Sequence, residues 1–294
     1  MLRLITTQRY RSRIRQLLRS SAKYKSRSQP GTVPVGTWEG AEIARVELTK
    51  LAPSRTVTVI GTGPTGIETA AEDAFARPDL CVRLVGQRLA PSLHERTRAR
   101  VRAGLERLGV SVLEDSVVDV LSREGERGIG ILRLRSGAQL GSELTLWAVL
   151  GSIPDLAGRS GLRVDDQGRA VVDPYLRSTT DPRILVVGDC AAVPGSRAAC
   201  QTAVPQGAHA ADTLERMVRN QPLKPYSFGY VGTGLTLGRR DGVVQVSRRD
   251  DRARRLYLAG RTAAAVKEGA TRFAKYGSRT ATVTWLPGPE SVVG

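Results

Sequence analysis

One short stretch concentrates residues that could do chemistry. Gly61-Thr62-Gly63-Pro64-Thr65-Gly66 places glycines at the first, third and sixth positions. It directly follows the β-branched run Thr56–Ile60 and directly precedes an apolar helical start at Ile67–Ala71. In a strand–turn–helix context each glycine has its own task. Gly61 permits the tight turn, Gly63 removes a side chain where a diphosphate must approach the backbone, and Gly66 lets helix and strand pack closely. The helix that follows offers unpaired amide N–H groups and a partial positive charge to an anion. Thr62, Pro64 and Thr65 complete the loop around the diphosphate.

A second strand, Cys81–Val85, follows about twenty residues on and leads into Gly86-Gln87-Arg88. A site selective for NAD usually carries a carboxylate there, to hold the ribose 2′-hydroxyl. Gln87 and Arg88 stand in its place, and Arg88 could pair with a 2′-phosphate, which tilts the reading toward NADP(H); an arginine on a loop is otherwise simply solvated. Glu68, two residues past the last glycine, suits the first helical turn through the helix dipole alone. Spacing by itself leaves it open between a structural and a functional role. His94 reads as a surface residue and His209 as a packed one, and two histidines on different elements make no nucleophile–base pair. Cys81, Cys190 and Cys200 form no CxxC, so a metal site or a redox dithiol is not expected. Cys190 reads as a small buried thiol.

The elements that must position these residues alternate. A helix over Trp38–Leu51 ends before Pro53; then come strand, glycine turn, helix and strand, one βαβ unit. Arg96–Leu108 reads as a basic amphipathic helix and Val110–Glu114 as the next strand. Ser116–Arg123 and Gly130–Arg135 read as antiparallel strands, and Glu143–Leu150 as a buried one. Arg183–Val187 is strongly strand-like, Ala203–Val218 is helical, and the last seventy-odd residues hold Val243–Val246, Leu256–Leu258 and a helix near Thr262–Tyr276.

The chain has 294 residues, 40% apolar and 25% charged, enough for one large or two medium domains with real cores. No run approaches the eighteen apolar residues of a membrane-spanning helix. The net charge is +17, and nine basic residues with no acid lie before Trp38. That segment, 1–36, reads as a basic tail, expected to be disordered; a polyanion-binding arm, a targeting segment and an ill-defined start of the reading frame stay open. Ser28–Gly36 reads as a linker. Nucleic acid is not the expected partner, because the tail offers only Tyr10 and Tyr24 for base stacking.

The stretch Gly61–Glu72, GTGPTGIETAAE, resembles the NAD(P)H-binding motif of the pyridine-nucleotide flavoprotein oxidoreductases, in the branch of type II NADH dehydrogenases and FAD-containing NAD(P)H:quinone oxidoreductases. Two later stretches agree. Thr180–Asp189, ending in Gly188-Asp189, is similar to the family's late FAD motif, and by that resemblance Asp189 would bond the ribitol of FAD. Ala203-Val204-Pro205-Gln206-Gly207 is similar to the Gln-Gly helix start beside the isoalloxazine ring. The resemblance implies that Glu68 lies near the nicotinamide–flavin contact and that Gln206 faces a quinone-like acceptor. Pro205 stands where the dehydrogenases commonly have another Gln, and the earlier GxGxxG that holds the ADP half of FAD has no counterpart in the chain.

The expected architecture is α/β: a Rossmann-like NAD(P)-binding domain, with a central parallel sheet and a β-meander, inserted in a partial FAD-binding domain, plus a small α+β C-terminal region. The NAD(P)H domain with its leading helix covers 37–152, the FAD-domain remnant 153–220, and a dimerising or membrane-surface region 221–294. The implied function is transfer of hydride from NAD(P)H to FAD and on to a quinone-type acceptor. The other reading is a truncated relative that binds a dinucleotide without turnover. A cytoplasmic place, peripheral at the inner membrane face, and a homodimer are the matching expectations.

Overall fold

The computed structural model describes residues 31–122, 128–149, 153, 155–280, 283 and 285–290. Its centre is a five-stranded, all-parallel sheet in the order β1-β8-β2-β3-β4. These strands are Val33–Pro34 (β1), Thr56–Ile60 (β2), Cys81–Gly86 (β3), Ser111–Glu114 (β4) and Leu144–Trp147 (β8). Val57, Val59, Leu84 and Leu146 are fully buried, as a parallel sheet covered on both faces requires. Helices α1 (Trp38–Lys50), α2 (Pro64–Ala76) and α3 (Glu95–Arg107) provide the cover. Between β4 and β8 the chain makes an antiparallel meander of β5 (Val117–Ser122), β6 (Gly130–Leu134) and β7 (Gln139–Ser142). The meander packs Val120 and Leu132 on Ile60, with Trp147 alongside, over the ends of β2 and β8.

Two expectations need correction. Part of the stretch read as a linker is an edge strand, since Val33 and Pro34 pair in parallel with Leu146 and Trp147. The proline is tolerated because an edge strand bonds on one side only. Arg183–Val187, for all its β-branched content, forms no ladder: it makes one isolated bridge, Arg177 to Leu185, and no strand lies on its other side among the described residues. Ile184 stays 39% exposed in consequence. β propensity records a fit to neighbours, and here one neighbour is absent. The first thirty residues of the basic tail lie outside the described residues.

After the short helix α4 (Leu156–Arg159) and the two-residue pair β9 (Ala170–Val171) with β10 (Ala191–Ala192), the long helix α5 runs over Cys200–Val218. The C-terminal region contains β11 (Ser227–Gly229) paired with β15 (Leu286–Glu290), the sheet β12 (Gly232–Thr236), β13 (Gly242–Ser247) and β14 (Ala253–Ala259), and helix α6 (Gly260–Thr280). It does not stand apart. Leu235, Leu237 and Val243 belong to the same buried cluster as the dinucleotide-type sheet. Asp241 is held by Arg100 (2.6 Å) and Arg107 (2.9 Å) of α3.

Candidate functional site

The glycine turn sits at the carboxyl end of β2. From β2 the chain proceeds to β3 and β4 on one side and returns to β8 on the other, so the turn lies at the topological switch point where open α/β sheets leave a crevice. Gly61 has φ +118°, and a Cβ there would lie 2.9 Å from the Ala148 carbonyl oxygen. A Cβ on Gly66 would lie 1.7 Å from the Gly61 carbonyl oxygen. Both glycines are thus required by the fold itself.

Gly63 is different. A Cβ on it would meet nothing within 4 Å, and its backbone (φ −78°, ψ −178°) is open to any residue. The fold itself does not require glycine at this position. Gly63 is also the N-cap of α2 and supplies no side-chain cap, and Pro64 holds the first helical position. The first helical bond runs from the Ile67 N–H to the Gly63 carbonyl (3.0 Å). The amides of Gly63, Thr65 and Gly66 are therefore the helix's orphan donors. Pro64 and Thr65 are exposed at the rim. Thr62 is buried; its hydroxyl donates to the Arg88 carbonyl (2.8 Å) and its own carbonyl accepts from the Ala90 N–H (2.9 Å). It ties the glycine turn to the loop that carries Gln87 and Arg88. Both of those side chains are exposed, and the Arg88 guanidinium has no partner among the described residues.

Glu68 points to the C-terminal region. Its Oε1 accepts from the Thr236 N–H and hydroxyl (both 2.9 Å) and lies 3.5 Å from Lys267 Nζ. Lys267 also donates to the Gly234 carbonyl (3.1 Å). The carboxylate thus couples the helix behind the glycine turn to β12 and α6.

The second cluster surrounds Gly188-Asp189. Gly188 has φ +77° and opens a 3₁₀ turn. Its N–H donates to Gln206 Oε1 (2.7 Å), while Gln206 Nε2 donates to the Ser196 hydroxyl (3.0 Å). Gln206 is 2% exposed and both ends of its amide serve the protein, so it shapes the turn from beneath. Asp189 is exposed and has no hydrogen-bond partner among the described residues. Ala203, Val204 and Gly207 lie half-buried on α5, whose N-cap Ala199 gives no side-chain cap, and a Cβ on Gly207 would meet open space. A free carboxylate on a turn packed against the small-residue face of α5 fits a polyhydroxyl group such as the ribitol part of FAD. A second glycine cradle for the FAD diphosphate is not among the described residues.

The remaining polar groups play supporting parts. His209 is buried, its Nε2 lies 3.0 Å from the Lys224 carbonyl, and burial holds its pKa below the ordinary value. Cys190 is exposed, against the expectation of burial, although partial desolvation still pushes its thiol up. Its Sγ donates to the Val187 carbonyl. Sequence reading missed Asp73, which is buried on α2 with Oδ2 unpartnered and is pushed by desolvation to a pKa of about 7. It also missed β12, whose Thr236 receives Glu68; Gly232-Thr233-Gly234 reads as loop until it pairs with β13.

A glycine turn at the switch point of a parallel sheet, with a β-meander over the strand ends, gives the chain a Rossmann-like α/β fold. Comparison with known proteins takes this one step further. The chain belongs to the pyridine nucleotide-disulphide oxidoreductase family, whose model matches residues 28–211, well over half of it. It is 25% identical over 237 residues to the type II NADH:quinone oxidoreductase NdhA of Mycobacterium tuberculosis, covering 73% of this chain and 50% of that protein. It is 29% identical over 206 residues to Fe-regulated protein 8 of Mycosarcoma maydis, covering 64% and 48%. Among solved structures, the water-forming NADH oxidase from Lactobacillus brevis bound to NADH superposes with a TM-score of 0.60 at 19% identity, covering 76% of this chain and 49% of that one; the likeness is one of fold. The chain spans about half the length of the curated relatives it matches.

Proposed function

We propose that the protein is an NAD(P)H-dependent flavoprotein oxidoreductase that passes hydride from NAD(P)H to FAD and electrons on to a quinone-type acceptor. The observation that carries this reading is the space left at Gly63 beside three orphan amides. Gly63, Thr65 and Gly66 N–H groups bind the dinucleotide diphosphate, and the dipole of α2 adds to their pull. Arg88 stands where a 2′-phosphate would be met, which favours NADPH over NADH. FAD, when bound, supplies the redox chemistry. Asp189 holds its ribitol, and Gln206 positions Asp189 by fixing the Gly188 amide. Glu68 sets the angle of α2 through Thr236 and Lys267, and so acts on nicotinamide placement as a positioning residue.

A second reading, a dinucleotide-binding module without turnover, is favoured by one observation: Arg183–Val187, which leads into Asp189, is paired on one side only among the described residues. A peripheral place on the inner membrane face and a homodimer go with the first reading. In support, no described helix is long and apolar enough to cross a membrane, while Phe273 and Tyr276 of α6 are exposed.

The test is direct. Purified protein is expected to show flavin absorbance and to oxidise NAD(P)H with added FAD and menadione. Nucleotide binding with neither flavin nor oxidation would establish the second reading instead.

A further inference from the structure

Away from the glycine turn, a shallow, solvent-open cavity of about 720 Å³ lies between the start of α3 and the β13–β14 hairpin. Its lining is His94, Arg248, Ala253, Arg254 and Arg255. Three arginines and a histidine thus border one space. Other arginines on α3 and on or against the β13–β14 hairpin are held in ion pairs: Arg197 by Asp251, Arg252 by Asp250, Arg100 and Arg107 by Asp241. Arg248, Arg254 and Arg255 have no carboxylate partner and no side-chain hydrogen bond among the described residues. Like charges gathered without a counter-ion repel one another and are retained most cheaply where an anion joins them.

The two walls of this space are tied to each other. Gln245 is 1% exposed. Its Oε1 accepts from the His94 N–H (3.2 Å) and the Thr97 hydroxyl (2.6 Å), and its Nε2 donates to the carbonyls of Val246, Arg254 and Leu256. One buried amide thereby locks both walls, one from the dinucleotide-type domain and one from the C-terminal sheet. His94 Nδ1 accepts from the Arg96 N–H (3.2 Å), so the neutral ring carries its proton on Nε2 and has a donor to offer. Glu95 at the start of α3 and Asp250, which pairs with Arg252 at the hairpin tip, are not in the lining.

We propose that this cavity is a phosphate-anion site, separate from the dinucleotide turn, in which Arg248, Arg254, Arg255 and His94 clamp one phosphate group between the two halves of the molecule. Arginine forks match phosphate oxygens bidentately, which a diffuse basic surface does not. The phosphate has two sources: a free one, or the headgroup of an anionic lipid, since Leu256 and Leu258 are exposed on the same edge strand.

The test uses the full chain at low ionic strength. Inorganic pyrophosphate is titrated by calorimetry, and sedimentation is measured with vesicles of phosphatidylglycerol in phosphatidylcholine. Parent protein is compared with an Arg254→Ala/Arg255→Ala variant and with an Arg135→Ala/Arg163→Ala variant that removes equal charge elsewhere. A loss of about tenfold or more in pyrophosphate affinity, confined to the first variant, assigns a free phosphate. Vesicle binding lost only in that variant assigns a headgroup. No binding to either, or equal losses in the two variants, overturns the proposal.

Discussion

Asp73 offers a test that can be worked from the structure. Its carboxyl is buried on the helix that begins at the glycine turn, Oδ2 has no partner, and desolvation, aided by the charge of Glu72, raises its pKa from the ordinary 3.8 to about 7. Below about pH 4 folded and unfolded chains both hold this proton, and the group contributes nothing. Between about 4 and 7 the folded chain keeps the proton while the unfolded chain loses it, so unfolding becomes progressively easier as pH rises. Above 7 the loss levels off at about 4 kcal/mol, from 1.36 kcal/mol per pH unit. Asp73→Asn places a neutral side chain of the same shape there and abolishes the titration. The assay is urea unfolding of parent and variant from pH 5 to pH 8. The variant's advantage is expected to grow by about 2.5 kcal/mol over that range, since only part of the penalty is present at pH 5. Taking the difference cancels other titrating groups, such as His209, whose lowered pKa makes stability rise with pH. A difference that stays flat would refute the argument that Asp73 is held neutral.

Four further outcomes follow from the geometry. Gly66→Ala puts a Cβ against the Gly61 carbonyl and is expected to cost about 1–3 kcal/mol or more, read as a lowered Tm. Arg88→Ala should weaken NADPH binding by about tenfold while leaving NADH nearly unchanged, measured by titration with each. Gln206→Ala strands the Gly188 amide and is expected to destabilise the fold by about 2–4 kcal/mol and to loosen any flavin, seen together in unfolding and absorbance. Gly63→Ala should fold as well as the parent or slightly better, because its backbone angles suit alanine and its Cβ meets nothing.

Much of this was legible in the chain. Thr56–Ile60 and the helix from Pro64 lie where the pattern puts them, because a five-residue β-branched run followed by spaced glycines satisfies strand, turn and cap together. Trp38–Lys50 ends one residue before the expected boundary. The misses have physical causes. Arg183–Val187 has the composition of a strand, yet composition cannot supply the partner on its far side. Gly232–Thr236 has the composition of a loop and becomes a strand through pairing with Gly242–Val246. At the site, spacing left the role of Glu68 open and the family resemblance suggested one for it and for Gln206, but neither gives the direction of their bonds. Only tertiary structure sends the first to Thr236 and the second beneath Gly188. Asp73 was invisible for a related reason: on a helix, a carboxylate's cost depends on what covers it.

The account rests on an anion lying against the amides that open α2, and one measurement addresses it most directly. NADH and NADPH are titrated by calorimetry into the parent protein and into Gly63→Ala, with unfolding curves recorded for both. The account predicts that the parent binds at least one nucleotide and that Gly63→Ala, equally well folded, binds it at least about tenfold more weakly. A parent that binds neither, or a folded Gly63→Ala that binds as tightly as the parent, would contradict it.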